Sequence, residues 1–99
     1  MSALAPDADA GLVERVKRGD VKAFEMLVVK YQRRIERLIG RMVRDVDLVQ
    51  DIAQETFIRA YRALHRFLPD QAFGAWLHRI VANAALDITR RRKVRDADS

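Results

Sequence analysis

The sequence predicts an all-α fold, a compact bundle of about four helices, and three observations carry that reading. Four glycines, two prolines and seven aromatic residues are too few for the many turns of a sandwich or barrel, while Leu, Ala, Arg, Glu and Lys abound. Apolar residues recur at three- and four-residue steps through most of the chain. Capping residues stand at the ends of those periodic runs. With 99 residues the ceiling is one modest core, and 49% hydrophobic with 33% charged residues lies far from the composition of a disordered chain.

The first helix is short: Asp9 is a possible cap, Leu12, Val13 and Val16 form its apolar side, and Gly19 ends it. Residues 1–10 read as a flexible N-terminus. Asp20 caps a longer second helix in which Phe24, Leu27, Val28, Tyr31, Ile35, Leu38, Ile39 and Met42 repeat with helical period. Asp45 or Asp47 opens the third, whose Val49, Ile52, Ala53, Thr56, Phe57, Ala60 and Leu64 fall within roughly 140° of arc at 100° per residue. Pro69 and Asp70 interrupt the pattern, leaving a loop from His65 to Gln71. Asp70 can cap a fourth helix with Phe73, Leu77, Ile80, Val81, Ala84 and Ile88 on one side. Beyond Ile88 no apolar stripe is left, so Thr89 to Lys93 reads as a frayed end and 93–99 as the start of a linker.

The charge is unevenly distributed. The chain carries +5 overall, yet Asp45 to Ile58 contains four carboxylates and no Lys or Arg, and Gln71 to Arg95 is net +5. Opposite signs on separate segments suggest two different partners. On the third helix the side away from the core holds Asp47, Asp51, Gln54, Glu55, Arg59 and Arg62, with Ile58 among them and Leu48 at the rim. An isoleucine ringed by carboxylates and an amide has the anatomy of a small protein-binding patch with a polar rim. On the fourth helix Arg79, Asn83, Asp87 and Arg90 lie within about 80° of each other. Asn offers a donor and an acceptor and Arg pairs with phosphate, so this stripe suits base and backbone contact. A plain solvated face is the alternative for each. Trp76 sits on the border between stripe and core.

Zero cysteines exclude a disulfide framework, a thiolate zinc site and a cysteine nucleophile. His65 and His78 lack metal-ligand spacing, and no glycine-rich phosphate loop or nucleophile elbow is present. No metal or cofactor is expected, and a binding module is favoured over an enzyme. No apolar run is long enough for a membrane span, and Met1 to Ala10 lacks the plan of a secretory signal. A cytoplasmic protein without membrane insertion is expected.

The run Asp51-Ile-Ala-Gln-Glu-Thr-Phe-Ile-Arg-Ala-Tyr61, then Phe67, then Phe73-Gly-Ala-Trp-Leu-His-Arg-Ile-Val-Ala-Asn83 resembles region 2 of the extracytoplasmic-function sigma factors of bacterial RNA polymerase. Leu12-Val-Glu-Arg-Val-Lys-Arg-Gly-Asp20 and Ala23-Phe-Glu-Met-Leu-Val-Val-Lys-Tyr31 extend the likeness toward the envelope-stress, RpoE-like branch. On this resemblance residues 11–92 form a region 2 domain, and the chain is a piece of a longer factor whose region 4 would follow the linker.

The resemblance implies that the third helix docks on the clamp helices of the polymerase β′ subunit, with Asp51, Gln54 and Glu55 at the family's contact positions. Leu48, Ile58 and Arg59 join them as candidates from the wheel. It also implies that the loop and fourth helix recognise and melt the promoter minus-ten element, capturing a flipped base of the non-template strand. The candidate DNA-binding residues are Arg66, Phe67, Leu68, Asp70, Gln71, Ala72, Arg79, Asn83, Asp87, Arg90 and Arg91. Many relatives carry Arg-Gly or similar small residues where Leu68-Pro69 stands here. Relatives are commonly held inactive by an anti-sigma factor, which makes one a further expected partner. Two other readings fit parts of the pattern: a helix-turn-helix domain on duplex DNA, and a helical protein-interaction adaptor with a merely solubilising basic tail.

Overall fold

In the computed structural model, which describes residues 6–68 and 70–98, four α-helices and one 3-10 turn follow in order: α1 Pro6–Lys17, α2 Val21–Gly40, α3 Val46–Ala63, the turn Leu64–Arg66, and α4 Phe73–Asp98. No strand occurs among the described residues. α3 packs on both α2 and α4, while α1 lies against α2 and touches α4 and the 3-10 turn.

The caps act as the residue types dictate. Gly19 takes φ +98°, the left-handed conformation that lets its own and the Asp20 N–H turn back to the Val16 and Arg15 carbonyls. The Asp20 carboxylate then accepts the Ala23 N–H and an ion pair from Arg15, 2.8 Å away. Arg15, more than the Ala23 amide, holds the Asp20 carboxyl below its ordinary range. Asp45 caps α3 by accepting the Asp47 and Leu48 N–H groups. Asp70 does not cap α4. The helix starts at Phe73, the residue before it is Ala72, and the Ala72 carbonyl accepts the Trp76 N–H at 3.1 Å.

Leu27, Tyr31, Ile35 and Ile39 from α2 meet Ile52, Thr56 and Ala60 from α3 and Leu77, Val81 and Ala84 from α4 in one buried core. Thr56 belongs there because its hydroxyl donates to the Ile52 carbonyl at 2.7 Å, so no polar atom is left unpartnered. Met42 falls outside the core at 51% exposure, since α2 stops at Gly40.

Both chain ends depart from expectation. Residues 6–10 are helical, and Asp9 lies within α1 rather than at its start. Asp9 is buried, accepting from the Lys30 ammonium at 2.6 Å and from the Tyr31 hydroxyl. The remainder of the N-terminal expectation, residues 1–5, lies outside the described residues. At the other end α4 continues through Asp98, ten residues past Ile88 and across the segment expected to fray or link. A helix needs no apolar stripe to propagate, and Arg, Lys and Ala are good helix formers. Among the described residues no helix is long and apolar enough to cross a membrane.

Candidate nucleic-acid and protein interfaces

The connection between α3 and α4 is held from beneath. Phe67 is buried at 5% exposure, with its ring 5.8 Å from Phe73 and 5.1 Å from Trp76. Its carbonyl accepts the Lys17 ammonium at 2.7 Å, an anchor reaching across from α1. Phe67 is therefore no base-stacking residue in this conformation: it is the aromatic peg that seats the loop. Trp76 is half-buried against the same cluster, on the border where the wheel places it. The Leu68 and Gln71 backbones are joined at 3.1 Å, and the Gln71 amide oxygen accepts the Leu68 N–H at 3.4 Å. Above this base Arg66, Leu68, Asp70 and Ala72 face solvent.

Along α4, Arg79, Asn83 and Arg90 are exposed on one side, as the wheel requires. Asp87, grouped with them from sequence, is differently employed. Its carboxylate accepts Arg59 of α3 at 2.8 Å, and Arg59 also binds Glu55 at 2.8 Å. Glu55 first, then Asp87, raises the Arg59 pKa, so the guanidinium stays charged as a clip between the two helices. The Asp87 carboxylate is thus engaged between α4 and α3 rather than free on the stripe.

The arginine run of α4 divides in two. Arg90 continues the solvent stripe, whereas Arg91, Arg92 and Arg95 turn toward α3 and line one groove with Leu48, Asp51, Gln54, Glu55 and Ile58. Arg92 reaches Asp45 at 3.3 Å. Arg91 thus stands among the candidate protein-binding residues rather than with Asn83. The reason is phase: at 100° per residue Arg91, Arg92 and Arg95 continue the core side of α4 beyond its last apolar residue. On α3 itself Asp51 and Gln54 are exposed and Ile58 is 38% exposed. Leu48 is nearly buried at 9%, so it forms the floor of the groove and not its rim. Beyond Ile58 an apolar trough runs between α2 and α3, lined by Phe24, Val28, Phe57 and Tyr61, with the Phe24 and Tyr61 rings 4.9 Å apart. Phe24, Val28 and Phe57, counted in the helical repeats of α2 and α3, are only partly buried here.

This division has a measurable consequence. Arg90→Ala is expected to flatten the log-log salt dependence of single-strand DNA binding by about 0.7, equally for all sequences. Arg92→Ala, already neutralised by Asp45, is expected to leave the slope unchanged. Titrations between low and moderate salt check both.

A peg-seated loop, an Asn-Arg stripe beside it and a separate groove of mixed charge between α3 and α4 define a helical domain with two distinct candidate faces. Residues 27–95 match the family model for sigma-70 region 2, and the chain belongs to that family. The RNA polymerase sigma-H factor of Pseudomonas aeruginosa is 50% identical over 97 residues, covering 96% of this chain and 50% of the relative. The ECF RNA polymerase sigma-E factor of Escherichia coli K12 is 53% identical over 77 residues, covering 78% of this chain and 40% of the relative. The chain spans about half the length, or less, of the curated relatives it matches. Among solved structures, an engineered region 2 of sigmaE determined by NMR in complex with GTAAAA matches with TM-score 0.84 and 44% identity, covering 96% of this chain and 97% of that one.

Proposed function

We propose that this domain recognises the minus-ten element of a promoter as single strand while docked on the β′ clamp helices of RNA polymerase. The observation that carries the reading is the separation of faces: Asn83 and Arg79 are exposed on α4 beside the α3–α4 loop, and Asp51, Gln54 and Ile58 are exposed on α3. The NMR relative holds a six-nucleotide strand, which supports the nucleic-acid half.

Duplex DNA hides base edges, and unstacking a base costs a few kcal/mol, so a protein that melts a promoter must hold what emerges. The loop and the α4 stripe supply that hold: an amide that donates and accepts at Asn83, and a phosphate partner at Arg79. The exposed Leu68 side chain, 56% accessible, lies on the loop that faces the captured base. The acidic α3 face fixes the domain on the polymerase, which performs the chemistry in the cytoplasm. An anti-sigma factor would act by covering these faces.

Competition measures the reading. Polymerase core assembled with this chain is expected to prefer a minus-ten non-template single strand over the same sequence as intact duplex. Equal or stronger binding to duplex would point instead to a major-groove reader.

A further inference from the structure

On α2, Arg34, Arg37 and Arg41 fall within about 60° of one another at 100° per residue. They line one concavity of about 310 Å³ with Leu38 and with His78 of α4. Among the described residues none of the three joins an ion pair, whereas Arg15, Lys30, Arg59 and Arg92 each meet a carboxylate. No Asp or Glu lines the concavity. Like charges three and four residues apart on a helix repel, so the arrangement is one that a bound anion relieves.

Its position is specific. Tyr31 of α2 packs on Phe73, 5.5 Å between rings, at the start of α4 next to the loop. Further along both helices, Arg34 and Leu38 line the same concavity as His78, which lies about 100° around α4 from Arg79. The basic concavity therefore lies beside the first turns of α4, around the helix from the Arg79–Asn83 stripe.

We propose that Arg34, Arg37 and Arg41 form a phosphodiester site that tracks the backbone of the same promoter strand whose bases the loop and Asn83 face. Guanidinium groups at this spacing bind backbone phosphates one by one, and His78 adds a donor across the groove. The site contributes affinity without base preference. It rests on the single-strand reading above and adds to it a second, sequence-blind contact on α2.

The test uses polymerase core assembled with this chain and minus-ten single strands substituted one base at a time, each titrated across salt. For R34A/R37A/R41A the slope of log affinity against log salt is expected to shrink by about 2, since each phosphate neutralised on a single strand contributes about 0.7. The pattern of base preference should be unchanged. R34K/R37K/R41K is expected to keep the wild-type slope. All three side chains are exposed, so helical circular dichroism should persist. If the triple alanine variant does not fold, R37A alone should lower the slope by about 0.7. A wild-type slope in the alanine variants overturns the site, as does equal loss in the lysine variant. A wild-type protein with no base preference would instead remove the single-strand reading, leaving the slope comparison to decide the phosphate site separately.

Discussion

Asp9→Ala is expected to lower the thermal midpoint of the domain by on the order of 10 to 20 °C, the largest stability effect of any single change proposed for this chain. Asp9 is 2% exposed and receives both the Lys30 ammonium and the Tyr31 hydroxyl. Removing it leaves a buried phenol without an acceptor and a cation without its counterion. Breaking a fully buried pair costs about 3 to 5 kcal/mol, and partial exposure of Lys30 brings the expected loss to about 2 to 4 kcal/mol. Adding Tyr31→Phe to Asp9→Ala should recover part of the loss, because no hydroxyl is then stranded. The same cluster gives a pH dependence. Burial, reinforced by the Asp9 hydrogen bond, raises the Tyr31 pKa far above the ordinary phenol value. The unfolded chain then releases its proton first, near pH 10, so stability is intact below that pH and falls as pH rises beyond it. Thermal melts from pH 8 to 11 should show the decline, and Tyr31→Phe should reduce it.

Charge reversal on α3 is expected to have the largest effect on partner binding. Asp51 is exposed and takes part in no hydrogen bond or ion pair among the described residues, so Asp51→Lys tests the face without disturbing the fold. Truncating a desolvated interfacial charge costs about 2 to 5 kcal/mol, and a rim charge much less. At least a tenfold loss of affinity for a β′ clamp-helix fragment is therefore expected, corresponding to about 1.4 kcal/mol. Glu55→Lys should weaken binding as well, but it also frees Arg59 from its i,i+4 partner and loosens the link to Asp87. Its melting temperature should fall slightly where that of Asp51→Lys does not. Calorimetric titration of the fragment with Glu25→Lys, on the outer side of α2, supplies the unaffected comparison. Wild-type affinity in Asp51→Lys would mean that this face is solvated surface and nothing more.

How far these sites were legible from sequence depends on whether their physics is local. The Asp20 cap, a cap at Asp45 or Asp47, the Gly19 turn and the exposed side of α3 follow from spacing alone, because each is settled within one or two helical turns. The Asp9 cluster is not local: its partners lie 21 and 22 residues away, and an aspartate before an apolar run reads equally well as a cap. The Lys17 anchor spans 50 residues and carries no pattern at all. The family resemblance names Phe67 for the DNA face, and its packing on Phe73 and Trp76 is a tertiary contact that no local pattern announces. Arg91 groups with Arg90 as part of one basic run, whereas helical phase, carried past the last apolar residue, places it over α3.

Asn83→Ala decides whether the loop and α4 capture one unstacked base. Polymerase core assembled with Asn83→Ala should be titrated with minus-ten single strands substituted one base at a time, with thermal unfolding of the free domain alongside. Asn83 is exposed and makes no side-chain hydrogen bond among the described residues, so its removal should leave the melting temperature as it is. A lost base contact is worth about 1 to 3 kcal/mol, so preference at one position of the strand should weaken by roughly 5- to 150-fold while the others keep theirs. An unaltered base profile together with a destabilised domain would make Asn83 a support of the loop and contradict the account.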